Sequence, residues 1–454
     1  MIHPSGIMNT KSMVILAIVA VAAVAVVGGI VLFGQSDDDD KKTYAIDGSL
    51  NVYGNADRDY KIDNEDLQIV KDIVAGEKSF ADYPFADADY NGTVNDADVE
   101  LVQKILDKEP CTITHVNIKK TAGEYISQTS WPVKSAIATG SSNNLMLFTL
   151  AGINDKIHGI CYSSTPDYTL FPTYEKVERL GTKSTAISLD AANDTIKQYK
   201  VTALISDYTD STISNESEFE DNGIDVIRIS AAVVDPDKYA SQLLLIGFLF
   251  QSETKAMEFS EWNTKVLKEI ASKVSTIEKK KTVITCNSAA SSKGVWVSAG
   301  ASDYRDVVEA AGGVYAITDD YDVQSISGYT SGAYFAEGDT WIYNLNPDAI
   351  VSIRVSDWYS GSLDIVKKYE ESVGLFKQTK AYEDGYVSVI TGDAPISIRV
   401  AYAAAMMYPD VFSIEWANEL NEEAFEKFYP VDIDFKGKTF AITSEDYEAA
   451  KEKA

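Results

Sequence analysis

The sequence predicts an α/β protein of two lobes joined by one long helix, preceded by a small all-α unit and an apolar N-terminal span. Three observations carry this. An apolar run covers residues 13–33. Two oxygen-rich loops, each opening a helix, follow within residues 46–110. From Thr112 onward, short β-branched runs alternate with amphipathic helices, the pattern of layered α/β folds.

Composition sets the outer bounds. A chain of 454 residues with 45% apolar content is too long for one core and implies two or three folded units. Its formal charge of −29 argues against nucleic acid and anionic lipid, because both require basic patches. Cys111, Cys161 and Cys286 cannot all pair within one chain; they read as small buried residues, with a single disulfide left open.

Met13 to Phe33 is about twenty apolar residues, long enough at ~1.5 Å per residue to cross a hydrocarbon core of roughly 30 Å. It is a transmembrane anchor or a signal sequence. Lys11 precedes it and Asp37 to Asp40 follow, which places residues 1–12 in the cytoplasm as a short tail and the rest outside. No cysteine follows closely, which argues against a lipid anchor. Residues 34–45 form a polar, acidic linker with nothing to bury.

In Asp87-Ala88-Asp89-Tyr90-Asn91-Gly92-Thr93-Val94-Asn95-Asp96-Ala97-Asp98, oxygen side chains alternate around a glycine. A hard cation such as Ca²⁺ needs six to eight oxygens, and the alternation turns Asp87, Asp89 and Asn91 inward while Gly92 permits the bend. Asp98 closes the cage from a helix. The pattern occurs earlier as Asn55, Asp57, Asp59, Lys61, Asp63 and Asp66, where Lys61 offers only its carbonyl. Each following helix carries an apolar face: Leu67, Val70, Ile73 and Val74, then Val99, Val102, Ile105 and Leu106. Two such loops resemble a type I dockerin, an EF-hand-like module. That resemblance implies two Ca²⁺ sites, adding Thr93 (main chain) and Asn95 to the second ligand set. Asn55 and Tyr60 depart from the family pattern in the first loop. The resemblance also implies a cohesin-like partner meeting Asn64, Glu65, Asp96 and Ala97; the other reading is an ion-stiffened spacer.

Further on, Lys134–Thr139 reads as a strand, then a helix over Leu145–Ala151, a strand over Ile157–Tyr162 and a helix capped by Ser188. Val201–Ile205 and Val226–Ile229 are strands. A connecting helix of about 25 residues, Glu253–Ile277, spans near 37 Å and separates an N-lobe (112–252) from a C-lobe (279–454). In the C-lobe, Thr282–Cys286, Ala349–Ile353 and Tyr386–Ile390 are strands. Ser302 caps a helix that Gly312-Gly313 stops, and Ile396–Met407 is a helix ended before Pro409.

Several segments carry a second resemblance: Asp155-Lys156-Ile157-His158-Gly159, Leu180-Gly181-Thr182 leading to Ser188-Leu189-Asp190, and Ala310-Ala311-Gly312-Gly313. The others are Asn346-Pro347-Asp348-Ala349-Ile350-Val351, Lys380-Ala381-Tyr382 before Gly385-Tyr386-Val387, and Tyr408-Pro409-Asp410. In this order they resemble the class III substrate-binding proteins of ABC importers, which carry iron-siderophores, haem and cobalamin. The resemblance implies a periplasmic-binding-protein fold, an ABC permease as partner, and an acidic docking residue on each lobe at Asp190 and Asp306. Thr182 to Ile187 and Lys200-Val201-Thr202 replace the family's proline-rich and Lys-Pro-Asp stretches.

A ligand between the lobes is contacted by loops at strand ends. Those are Ser142, Asn143, Tyr162 and Tyr168 on one side and Trp296, Trp358, Tyr359 and Arg399 on the other. Tyrosine and tryptophan suit a flat conjugated molecule. His3, His115 and His158 are the only histidines, too few for a bare transition-metal site, so the cargo is read as a metal already held in a chelator. Arg354 or Arg399 would offset the acidity for an anionic one. No catalytic set is visible, and the chain is read as a non-enzyme. A calcium-dependent surface adhesin or scaffold, and a dockerin-bearing polysaccharide-degrading enzyme, are the rival readings.

Overall fold

Side chains of the two oxygen-rich loops also start the helices that follow them. The computed structural model describes residues 48–162, 166–181, 186–300, 302–318, 321–355, 357–360 and 363–453. The apolar span 13–33 and the linker lie outside the described residues; among those described, no helix is long and apolar enough to cross a membrane. Helix α1 (Asn64–Val74) is capped by Asp63 and α2 (Asp96–Leu106) by Asn95, with Asp66 and Asp98 completing capping boxes. The two helices share a small core of Ala56, Leu67, Val70, Ala88 and Val102. Val74, expected on the buried face, is exposed, and Ile105 instead joins the core of the next unit.

A hairpin that the sequence reading did not resolve comes next: β1 (Cys111–Lys119) and β2 (Gly123–Trp131), antiparallel from Cys111↔Trp131 to Lys119↔Gly123. Residues 51–53 extend it. Tyr53 N donates to Thr114 O at 2.8 Å, Val116 N donates to Asn51 O at 3.0 Å, and Val52 bridges His115. The ion-loop unit is thus stitched to the hairpin by main-chain bonds.

The N-lobe follows as β3 (Ala136–Gly140), α3 (Ser142–Leu150), β4 (Ile157–Tyr162), β5 (Glu178–Gly181), α4 (Leu189–Tyr199), β6 (Ala203–Asp207), α5 (Glu216–Asp221) and β7 (Asp225–Ile229). The strands form a parallel sheet ordered β5-β4-β3-β6-β7. Asn117 fastens the hairpin to it, its Nδ2 donating to Val226 O at 3.0 Å and its Oδ1 accepting from Arg228 N at 2.6 Å. Arg228, 1% exposed, bonds the Glu216 carboxylate and the carbonyls of Asp207 and Thr209, so its buried charge is compensated.

Two helices leave the lobe: α6 (Pro236–Leu249), capped by Asp235, and α7 (Glu253–Val274). The sequence reading missed α6 because Leu243-Leu244-Leu245-Ile246 is apolar on every face and shows no helical period. They pack through small residues: a Cβ on Gly247 would stand 2.6 Å from Ala256 Cβ. Helix α7 is the connector and touches α3 in the first lobe and C-lobe helices beyond it.

The C-lobe comprises β8 (Thr282–Cys286), β9 (Val295–Ser298), α8 (Asp303–Ala310), β10 (Val314–Tyr315), α9 (Val323–Ser327), β11 (Gly332–Phe335), α10 (Trp341–Leu345) and β12 (Ala349–Arg354). It continues through α11 (Ile365–Val373), α12 (Lys380–Glu383), β13 (Val387–Thr391), α13 (Ile396–Met407), α14 (Ile414–Phe428), β14 (Ala441–Thr443) and α15 (Ser444–Lys453). Its sheet is ordered β11-β9-β8-β12-β13-β14, with β10 beside β8; β8, β12 and β13 are parallel and central. Two of the motif segments act here as staples. Asp348 Oδ2 accepts from Thr282 N at 3.0 Å, and Tyr408 Oη donates to the Gly312 carbonyl at 2.8 Å.

His115, where the ion-loop unit meets the hairpin, is fully buried, with Nε2 2.9 Å from Thr129 Oγ1 and Nδ1 3.4 Å from Val116 O. A carbonyl only accepts, so Nδ1 carries the proton and Nε2 accepts from the hydroxyl. Burial lowers its pKa to about 4. The unfolded chain therefore takes up a proton near pH 6.5 that the folded chain refuses until about pH 4, and stability is lost as pH falls across that window. Between pH 7 and 5 the loss is about 2 kcal/mol. Urea titrations of His115→Gln should show a stability deficit against wild type at pH 7 that shrinks by about 2 kcal/mol at pH 5. Parallel pH profiles would mean the ring titrates normally.

Candidate functional site

In the second oxygen-rich loop, carboxylate oxygens of Asp87, Asp89 and Asp98 lie within 4.8 Å of one another. Main-chain donors orient them: Asp87 accepts from Asn91 N (3.0 Å) and Gly92 N (2.8 Å), and Asp98 from Asn95 N (2.8 Å). Asn91 Oδ1 accepts from Thr93 N at 3.0 Å, and Asn95 Oδ1 caps α2. Gly92 takes a positive φ of 93° that a side chain would strain.

The first loop repeats part of this plan. Arg58 and Tyr90, fourth in each loop, both sit at φ 60°. Asn55 is fully buried; its Nδ2 donates to Leu50 O and Asp59 O, while its Oδ1 has no protein partner. Asp57 and Asp59 each accept from the amide two residues on, and Asp66 accepts from Asp57 N and Asp63 N. Burial raises the Asp66 carboxyl to about 7, against its backbone hydrogen bonds. Tyr60 has no left-handed φ to match Gly92, and Lys61 places its ammonium 2.5 Å from Asp63. An all-oxygen donor set with an orphaned buried amide oxygen fits a hard divalent cation, and the Lys61 ammonium competes with one in the first loop.

The second candidate site is the seam where strand ends of the two sheets meet. Asn143, in the first turn of α3 just after β3, accepts from Arg399 Nη2 of the C-lobe at 2.8 Å. Asn143 Nδ2 stands 3.5 Å from Asp303 Oδ2 at the start of α8, and Arg399 Nη1 lies 3.9 Å from the same carboxylate. Arg399 Nε donates to Ala394 O at 2.7 Å. These contacts close the lobes on each other at this point. Burial raises the Asp303 pKa, with Arg399 and Asn143 opposing it. Two surface hollows, of about 260 and 490 Å³, lie elsewhere: one between α7 and α14 beside Trp262 and Trp416, the other by His158 and Pro172.

The other expected contact residues divide. Ser142 and Tyr168 are partly exposed, and Tyr162 is buried with no partner for its hydroxyl. Trp296, half-buried, meets Tyr329 and Tyr334 edge-on at 6.0 and 5.0 Å, forming an aromatic group on the edge strands. Trp358 and Tyr359 correct the sequence reading, since both are interior. Trp358 Nε1 donates to Arg354 O at 2.7 Å; Tyr359 bonds Asn421 Oδ1 at 2.9 Å and stacks on Phe425. Asp190 is exposed in the first turn of α4. Asp306 is half-buried; burial first, then Glu309 and Asp303, raise its pKa to about 6 against Arg305 and Lys238. His158 stacks on Tyr199 at 4.3 Å, and all three cysteines are free.

Sequence reasoning passed over Asp303, Tyr304 and Tyr208, although Tyr208 feels the charges of Asp207, Asp303 and Asp306 at this seam. The Ser302 cap located the start of α8, which brings Asp303 and Tyr304 to the strand ends, and that was the available signal.

No protein-family model matches the chain, and no curated protein sequence does. Solved structures do. A TroA-like periplasmic binding protein FepB from Veillonella parvula aligns with a TM-score of 0.55 at 17% identity, over 72% of this chain and 99% of that one. A periplasmic solute binding protein from the same organism gives 0.52 at 15% over 71% and 94%. An ABC transporter solute binding protein from Sulfurospirillum deleyianum gives 0.50 at 12% over 74% and 99%. Nearly the whole of each neighbour fits within this longer chain, which therefore has the two-lobed α/β fold of periplasmic binding proteins.

Proposed function

We propose that this chain is the extracytoplasmic solute-capturing component of an ABC importer, that its cargo is a metal chelate, and that it performs no covalent chemistry. The observation that carries this is the Asn143–Arg399–Asp303 contact: polar groups from both lobes converge at the strand ends of a fold whose neighbours bear solute-binding names. Cargo binds along this seam, beside Trp296, Tyr168 and Tyr208. The span 13–33 holds the receptor at the membrane, and Asp190 and Asp306 meet the permease. The oxygen-rich loops bind Ca²⁺, the second through Asp87, Asp89, Asn91, the Thr93 carbonyl, Asn95 and Asp98. The first binds through Asn55, Asp57, Asp59, the Lys61 carbonyl, Asp63 and Asp66. Calcium here is structural, and a cohesin-like partner would meet Asn64, Glu65, Asp96 and Ala97.

The calcium reading makes a prediction about the whole receptor. Tyr53 stacks on Phe85 (4.4 Å) and meets Tyr90 of the second loop (4.8 Å), and Tyr53 is also bonded to β1. Calorimetric scans should show a single transition spanning both ion loops and N-lobe, shifted upward by Ca²⁺. At a hundred times the dissociation constant the gain is about 2.7 kcal/mol per site. Asp98→Asn should remove most of the shift, and an unchanged melt on chelation would refute the role.

Because α7 packs on both lobes, cargo should cause little change in scattering radius; a large compaction would contradict the closed-connector picture. Asp190→Lys should abolish uptake in cells while calorimetry finds cargo affinity intact; loss of both together would remove the docking role. For Asp306, the raised pKa means the folded state holds a proton between about pH 4 and 6 that the unfolded state releases. Its ionisation therefore costs stability above that window, so Asp306→Asn should raise the melting temperature at pH 7.5 and leave it unchanged at pH 4 and below.

A further inference from the structure

The two fully buried arginines of this protein are supplied with acceptors, whereas a half-buried one at the seam is not. Arg228 has a carboxylate and two carbonyls; Arg399 has Asn143, Ala394 O and Asp303. Arg354, the last residue of β12 at the centre of the C-lobe sheet, has only Asn287 O, 3.5 Å from its Nη1. Its Nε is buried and bonded to nothing. Among the described residues, no carboxylate comes within ion-pairing distance of its guanidinium. Lys368 on α11 lies close enough for the Arg354 charge to lower its affinity for protons, after the larger effect of burial, and its ammonium rides 5.3 Å over the Trp358 ring.

The position is rigid and belongs to the seam. Arg354 O accepts from Trp358 Nε1 and from Gly392 N, both at 2.7 Å, so the main chain is clamped from two sides. A Cβ on Gly392 would stand 2.8 Å from Val355 N, so only glycine allows that approach. Tyr304 and Asp393, which neighbour Arg354 electrostatically, immediately adjoin Asp303 and Ala394 of the lobe-to-lobe contact. A guanidinium with an unmet buried donor, held beside a second cation, is costly in a resting protein and is matched by an incoming oxyanion.

We propose that Arg354, with Lys368 beside it, is a subsite for a carboxylate of the cargo, so that the captured chelate is an anionic one. This rests on the solute-capture reading above. The test is calorimetry on the full chain with ferric citrate, haemin and the uncharged ferric trihydroxamate ferrichrome, for wild type, Arg354→Gln and Arg354→Lys. The expected result is that a carboxylate-bearing chelate binds and ferrichrome does not. Arg354→Gln should weaken that binding about a hundredfold and Arg354→Lys about tenfold. Binding of ferrichrome alone, or equal affinity in Arg354→Gln, would overturn the subsite and leave the receptor intact. Failure of all three to bind wild type would overturn the capture of a chelate and the subsite with it. Melting of the ligand-free proteins supplies a check independent of any chelate. Arg354→Gln should melt at or above wild type, because it removes an uncompensated charge, whereas a drop of several degrees would make Arg354 structural and refute the proposal.

Discussion

A guanidinium that is 2% exposed must find acceptors, and Arg399 finds one of them on the other lobe. Its own lobe supplies the Ala394 carbonyl and the Asp303 carboxylate; the N-lobe supplies Asn143 Oδ1, 256 residues away along the chain. Each partner stands where it does because of a strand end. Asn143 follows β3, Ala394 follows β13, and Asp303 opens α8 after the β8–β9 connection. Strands β3 and β13, parallel members of their sheets, point their ends at the seam, and the buried charge then fixes how closely the lobes approach. Anything captured there would have to share or displace these bonds, which would couple its binding to lobe geometry.

Buried contacts likewise join the oxygen-rich-loop unit to the N-lobe. Gly48 N donates to Ser241 Oγ, which donates in turn to the Ser49 carbonyl, and both groups are buried. Leu50, Val52 and Ile105 lie in the main core with N-lobe residues. Two helices of eleven residues each bury little on their own, and Ile105 of α2 joins the core shared by the hairpin and the N-lobe. A unit that borrows its core from a neighbour melts with that neighbour, which distinguishes it from a bead on a flexible string.

Legibility of the sequence followed how local each determinant was. The strands Ile157–Tyr162 and Thr282–Cys286 and the helix Ile396–Met407 were placed with their observed bounds, because β-branched runs and an apolar stretch ended by Tyr408-Pro409 are signals within a few residues. The Ser302 cap was legible for the same reason. The β1–β2 hairpin was not, although Ile113, Val116 and Ile118 alternate imperfectly with polar residues; its partner surface is Asn117 against Val226 and Arg228, more than a hundred residues away. Trp358 and Tyr359 were placed at the seam because they sit on a loop between predicted elements. The sequence does not say that this loop folds inward onto Phe425 and Asn421. Arg399, expected to face a ligand, instead meets Asn143 and Asp303, and that contact forms only through the fold.

An anionic cargo looks at first incompatible with a chain of net charge −29, and the resolution is one of range. Exposed charges act through water and salt, where the screening length is about 8 Å at physiological ionic strength. Two carboxylates, Asp393 and Glu371, are among the groups felt at Arg354, and neither forms an ion pair with it. A half-buried guanidinium is screened far less, and an oxyanion meeting it at hydrogen-bond distance answers to that group and to Lys368 before it answers to the surface. On that proposal the surface acidity would act on encounter rate and the seam cations on retention. Raising salt should change the first more than the second, so the sign of the whole protein carries little information about the sign of what it holds.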